Sequence, residues 1–263
     1  MNKNLKVLYF SPTDSTKKII KSIADSITSD YEVFDLTLPQ NRVDELHFSN
    51  QDLVLIGMPT YAGRIPKLLL PYLDKMTGHD TLAVFVATYG NRAYEDILLE
   101  QYDFFTAKGF IGLGAAAFIT EHSYTSQVAT GRPNLDDLKI ASDFGLSIST
   151  RLKEMNTLSD LHTLSLPGDR PYVIKKTPMP PMAPETNDHC LECGTCAQNC
   201  PAAAIDFSDY KKADATLCIK CHACIKNCSV QAKVIHHEAY HNMKNMLITN
   251  FADVIKTPEI FLV

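Results

Sequence analysis

Cysteine is absent before Cys190 in this 263-residue sequence, and all eight cysteines fall between Cys190 and Cys228. A disulfide framework running through the chain is thereby excluded. Such close packing of thiols in a chain read as cytoplasmic suggests metal instead. A basic excess is missing too: Lys plus Arg is 25 and Asp plus Glu is 30, for a formal charge of −5. That balance argues against a nucleic-acid or anionic-membrane partner, either of which usually meets a basic surface. No apolar run approaches the ~18 residues of a membrane span. The N-terminal Met1-Asn2-Lys3-Asn4-Leu5 passes at once into a core-like strand, so no signal peptide is expected. Hydrophobic residues make up 45% of the chain, which excludes wholesale disorder. The length suits two domains, one large and one small.

The first part alternates strand and helix patterns. Val7–Phe10, Val33–Leu36, Leu53–Met58, Leu82–Ala87 and Phe110–Ile119 are short apolar runs, the third and fourth unbroken as in strands covered on both faces. Ile20, Ile23, Ala24 and Ile27 recur at helical spacing. A last helix starts near Asn134, with Asp137 in its first turn and Leu138, Ala141, Phe144, Ile148 and Leu152 on one face. Five strands separated by helices predict an open, doubly wound α/β sheet over residues 1–160. Residues 161–185 hold six of the 14 prolines (Pro167, Pro171, Pro178, Pro180, Pro181, Pro184) and read as an extended connector. A small module over 186–240 follows, and then a tail, 241–263.

Cys190, Cys193, Cys196 and Cys200, with Pro201, form C-x2-C-x2-C-x3-C-P. Cys218, Cys221, Cys224 and Cys228 repeat the spacing 28 residues later, but Ser229 takes the proline's place. Three thiolates at steps of three can wrap one corner of a cubane while the fourth reaches the neighbouring cluster. Cys190, Cys193, Cys196 and Cys228 are therefore expected to hold one [4Fe–4S] cluster, and Cys218, Cys221, Cys224 and Cys200 the other. Two four-cysteine zinc sites are the alternative, although zinc ligands usually come as separated C-x2-C pairs. Lys220 and Lys226 would raise a nearby cluster's potential or are solvated loop residues, and His222 is expected at the surface. Residues 186–237 resemble the bacterial two-cluster ferredoxins.

Ser11-Pro12-Thr13-Asp14-Ser15-Thr16 joins the first strand to the first helix. Its hydroxyls and the open N–H groups of a helix N-terminus make a phosphate nest. Without Gly-Lys-Ser/Thr or a glycine triplet, it is neither a nucleoside triphosphate loop nor a dinucleotide fingerprint. Hydroxyls in place of lysine point to FMN; a simple Ser/Thr helix cap is the alternative. Pro59-Thr60-Tyr61-Ala62-Gly63 and Thr88-Tyr89-Gly90-Asn91-Arg92 leave the carboxyl ends of the third and fourth strands, each with an aromatic to cover a flavin and a glycine to let backbone approach it.

Together these three segments resemble the flavodoxin fold over residues 1–155. The order of flavodoxin-like domain, connector and two-cluster module is similar to the flavodoxin–ferredoxin fusion proteins of anaerobic microbes, as is the closing Pro258-Glu259-Ile260-Phe261. The resemblance implies a five-stranded parallel sheet beside a small α+β ferredoxin domain. It implies an FMN phosphate on Ser11, Thr13, Asp14, Ser15 and Thr16, and the isoalloxazine between Pro59–Gly63 and Thr88–Arg92. Asp14 stands where flavodoxins usually have glycine, which puts a carboxylate near a dianion. His122 and Tyr124 leave the fifth strand on the same side and read as pocket wall, with acid catalysis by His122 as the other reading.

The combination predicts a cytoplasmic electron-transfer iron–sulfur flavoprotein that exchanges electrons with a redox partner protein, with either direction of flow allowed. A dedicated FMN-dependent reductase of a quinone or activated double bond is one alternative. Another is a partner-binding protein that has lost FMN. A homodimer, with the clusters of one chain facing the flavin of the other, is equally compatible.

Overall fold

A computed structural model of the protein describes residues 3–42, 45–172 and 179–263; Pro178 of the connector lies outside them. In chain order the strands are β1 (Asn4–Tyr9), β2 (Tyr31–Asp35), β3 (Leu46–Phe48), β4 (Asp52–Pro59), β5 (Met76–Gly78), β6 (Thr81–Tyr89), β7 (Phe110–Ile119), β8 (Glu185–Thr186), β9 (Lys233–Val234) and β10 (Glu259–Leu262). The helices are α1 (Ser15–Ile27), α2 (Leu70–Leu73), α3 (Ile97–Thr106), α4 (Leu135–Glu154), α5 (Thr195–Gln198), α6 (Ala223–Lys226) and α7 (Glu238–Phe251).

The main sheet runs β10-β7-β6-β4-β1-β2. Every neighbouring pair from β2 to β7 is parallel. Without β10 this is the flavodoxin-like order, in which the chain reverses direction across the sheet beside β1. The carboxyl ends of β1, β4 and β6 therefore meet at the crevice where such sheets bind ligands.

Alternation along each strand builds two cores. Leu5, Val7, Leu53, Leu55, Val84 and Val86 face α1 and α4. Leu8, Val54, Ile56, Ala83 and Phe85 face Leu69, Leu73, Ile97, Leu98 and Phe105 on the other side. All nine residues of β6 are buried, which is why its sequence is continuous and apolar where a half-exposed strand would alternate. The first turn of α4 is closed by a capping box: Asn134 Oδ1 accepts from the Asp137 amide, and Asp137 Oδ2 accepts from the Asn134 amide.

The expected five-stranded parallel sheet is corrected to six strands, one of them antiparallel. Residues 241–263 do not trail away. Most of α7 lies there, and β10 returns to pair with β7, Glu259 opposite Ala117 and Leu262 opposite Gly114. Phe261 packs on the main core and the Val263 carbonyl accepts from Arg151 Nε at 2.6 Å. The cysteine module is thus inserted between α4 and the last strand of the sheet. Phe261→Ala should cost roughly half of the ~3–5 kcal/mol expected of a fully buried phenylalanine, read as a lower urea midpoint with unchanged slope.

Within the module β8 pairs antiparallel with β9, and Ile205 bridges Ala213. No helix among the described residues is long and apolar enough to cross a membrane.

Candidate functional site

The three expected flavin loops converge through Thr88. Its hydroxyl bonds that of Thr16 at 2.7 Å, and its carbonyl accepts from the Thr60 amide at 2.7 Å. In the first loop Asp14 takes the left-handed conformation (φ 60°) and is exposed, without a side-chain cap on α1. The four hydroxyls are not equivalent. Ser11 Oγ accepts from the Lys17 amide at 3.0 Å, and its own amide donates to Thr37 Oγ1 at 2.9 Å. With Thr16 tied to Thr88, only Thr13 and Ser15 keep hydroxyls at the partly exposed rim. Of the first-turn amides of α1, that of Lys17 is spent on Ser11 Oγ, which leaves those of Ser15 and Thr16 as the candidate anion donors.

Asp14→Gly should tighten the binding of added FMN about two- to fivefold at low salt, because a carboxylate facing the expected phosphate is removed. Titrating flavin fluorescence at two ionic strengths checks this, and the gain should shrink as salt screens the carboxylate.

In the second loop Tyr61 and Arg64 exchange backbone hydrogen bonds around Ala62 and Gly63, both at positive φ, as a tight two-residue turn demands. Glu100 of α3, only 7% exposed, clamps that turn. Its carboxylate accepts from Arg64 Nε at 2.8 Å, Arg64 Nη2 at 2.6 Å and the Ile65 amide at 2.8 Å. Arg64 in turn lies over the Tyr172 ring at 4.3 Å.

In the third loop Tyr89 packs edge-on to Tyr94 and beneath the Lys256 ammonium. A Cβ on Gly90 would stand 2.5 Å from the His122 ring, so this position must be glycine. Asn91 Nδ2 donates to the carbonyls of Phe251 and Val254, and Lys256 Nζ to that of Arg92. The chain's own 251–256 segment therefore straps this loop, a contact that sequence alone does not announce. Thr60 Oγ1 and Asn91 Oδ1, one on each flanking loop, are buried without a partner. Such orphaned acceptors fit a polar ligand between the loops.

The cysteine repeat is repeated in its backbone. Glu192, Gly194 and Ala203 have positive φ, and so do Lys220, His222 and Gln231, each 28 residues later. Left-handed residues between cysteines turn successive amides inward, the geometry of an anion or iron–sulfur nest. The amides of Ala204 and Ala232 each donate to the sulfur four residues earlier, Cys200 and Cys228, at 3.2 Å. Two cavities result, of about 410 and 340 Å³ with their open mouths. Cys200, Cys218, Cys221 and Cys224 line the first, and Cys190, Cys193, Cys196 and Cys228 the second. Among the described residues no three His, Cys, Asp or Glu side chains stand close enough to hold a single metal ion. Burial raises the Cys221 thiol, and burial with neighbouring thiols pushes Cys224 up to about 12.

The two cavities differ in their surroundings. Cys221 is buried and Cys193 exposed. The first, inner cavity abuts the flavodoxin-like domain: Tyr61 and Tyr124 lie within electrostatic reach of Cys218 and Cys221, and Ile219 packs on the main core. Lys226 Nζ meets Glu121 Oε1 at 2.9 Å, and Arg42 Nη2 donates to the Pro201 carbonyl at 2.5 Å. Lys226 is thus a paired interface residue, while Lys220 lines the inner cavity.

His222 is not at the surface, contrary to expectation. It is 3% exposed, stacked on Tyr124 (centroids 4.6 Å apart) and packed against Tyr240 (5.3 Å). Its repeat mate is Gly194, and the side chain that His222 adds fills the gap between the module and the 121–125 loop. Burial pushes its pKa down to about 3. His122 Nδ1 accepts from the Tyr124 amide at 3.1 Å, and burial lowers its pKa to about 4.

No family model matches the chain, and no curated protein does. Among solved structures it is similar to a flavodoxin from the domain Archaea, at 13% identity and TM-score 0.41, covering 57% of this chain and 99% of that one. Flavodoxin 2 from Bacillus cereus gives 11% identity and TM-score 0.42 over 56% and 99%. An NAD(P)H:quinone oxidoreductase from Methanothermobacter marburgensis gives 10% and 0.37 over 60% and 99%. At such scores the likenesses carry no weight of their own, and the fold rests on strand order.

Proposed function

We propose that this chain is an electron-transfer iron–sulfur flavoprotein. It would carry two [4Fe–4S] clusters and one FMN, and exchange electrons with a redox partner protein through the clusters. The observation that carries the reading is the pair of cavities, each rimmed by three cysteines of one motif and the last cysteine of the other. Ligation that followed this lining would be crossed in the ferredoxin manner. The orphaned Thr60 and Asn91 oxygens and the α1 N-terminus support FMN.

Iron–sulfur clusters pass electrons singly and flavin accepts one or two, so the pair would convert between the two modes. The chain's part is to hold, space and shield. Cys200, Cys218, Cys221 and Cys224 would hold the inner cluster, with Tyr61 and Tyr124 beside it as dry aromatic packing toward the flavin loops. Thr13, Ser15 and the α1 amides would hold the phosphate. His122, whose Nδ1 already accepts from the Tyr124 amide, would shape the wall. The inner cavity faces its own chain's domain, so the path would run within one chain.

The test is an anaerobic absorption spectrum with iron, zinc and FMN quantified per chain. About eight iron and one FMN, both chromophores bleaching on reduction, are expected. Zinc in place of iron would overturn the proposal, and iron without flavin uptake would reduce it to a ferredoxin on an inert platform.

A further inference from the structure

The two halves of the module are related by the 28-residue repeat, yet only one half has its partner. In the second half, Ile219 packs on the flavodoxin-like core, Cys221 is buried and Lys226 pairs with Glu121. At the equivalent places in the first half, Leu191 is 71% exposed, Cys193 is exposed and Gln198 is exposed. The same backbone turn, with Glu192 at φ 53° and Lys220 at φ 58°, thus presents one apolar residue to the protein's own core and one to solvent. The charge is reversed between them. Lys220 of the covered turn is replaced by Glu192 in the open one, with exposed Asp188 nearby in sequence. Among the described residues Glu192 is ion-paired with Lys211, at 3.8 Å, with both side chains more than half exposed. A pair that loose contributes at most about 1 kcal/mol and is readily given up.

We propose that the Leu191–Glu192–Cys193 turn is a docking surface for a second redox protein, one that offers an apolar contact to Leu191 and a Lys/Arg rim to Glu192 and Asp188. The intramolecular interface is the template for the apolar contact: there Ile219, the residue equivalent to Leu191, packs on the flavodoxin-like core. The nature of the partner rests on the converter reading above, since an exposed cysteine turn beside the outer cluster is where electrons would cross between proteins. The surface itself is judged by binding, independently of electron flow.

The experiment is calorimetric titration of the full-length protein with cytochrome c, a basic redox protein used as probe, at about 20 mM and about 0.5 M salt. Iron content and spectrum are recorded on the same samples. Glu192→Lys reproduces the residue that the repeat tolerates at Lys220, so its fold should be unaffected. It should weaken binding at least tenfold at low salt and little at high salt. Glu154→Lys, the same charge change on exposed α4, should weaken it less than twofold, and Leu191→Ser should weaken it severalfold at both salts. Equal effects of Glu192→Lys and Glu154→Lys, or no effect of either, would overturn the surface. Iron-loaded protein giving that result would leave the converter standing. Iron-free protein that still loses binding through Glu192→Lys would keep the surface and remove the converter.

Discussion

Replacing Cys200 with alanine should strip metal from the site built by the second motif and spare the first, although Cys200 belongs to the first motif. The sulfur lines the inner cavity with Cys218, Cys221 and Cys224, and the Ala204 amide holds it there. Cys228→Ala should do the converse, because that residue lines the outer cavity. Each variant should fall from about eight iron per chain to about four, with one of two paramagnetic signals lost on reduction. Combination makes the test sharp. Cys200→Ala joined to Cys221→Ala should lose no more iron than either alone, since both act on one site. Joined to Cys193→Ala, it should lose nearly all. The opposite pattern, with Cys200 and Cys193 acting as one, would mean that each motif closes its own site.

Glu100→Ala should lower stability by about 3 kcal/mol, at the bottom of the ~3–5 kcal/mol range for breaking one partner of a buried ion pair. Three donors lose their acceptor at once: both Arg64 nitrogens and the Ile65 amide, the last fully buried. The low end applies because Arg64 is about a third exposed and retains the Tyr172 ring beneath it. Glu100→Gln keeps the shape without the charge and should cost about half as much. Urea unfolding gives both values. FMN affinity is the second readout, because the clamp fixes the turn that presents Thr60 to Gly63. A loop released from α3 must be reordered by the ligand, and binding should weaken accordingly. Unchanged affinity in a destabilised Glu100→Ala protein would separate this loop from the flavin site.

The sheet was legible where burial on both faces leaves nothing but apolar residues, as in β4 and β6, and where a cap has a local signature, as at Asn134. Boundaries there agree to within about two residues. Less legible was anything whose partner is distant in sequence. β10 reads as Glu-Ile-Phe-Leu, a four-residue string without period, and becomes a strand only because β7 offers an open edge. α3 escaped because its apolar residues run nearly all round, and Glu100 in the middle was the one signal that something buried there needed a charge. The first loop stands out in sequence by its hydroxyls, but which hydroxyls are spent inside depends on Thr37 and Thr88, both remote in the chain. His222 was misjudged for the same reason: its neighbours Tyr124 and Tyr240 come from either side of the module.

Because β10 lies beyond the cysteine module in the chain, the module leaves the ribosome while β7 still has a bare edge. Unpaired strand edges are templates for association between chains, and domains otherwise tend to fold as units during synthesis. This sheet cannot do so, since its closing strand is translated only after all eight cysteines. A ribosome stalled past the module but short of Glu259 would carry all eight cysteines on a platform still open to aggregation. The β7 edge and the Asn91 loop are thus both covered only by residues that follow the module in the chain.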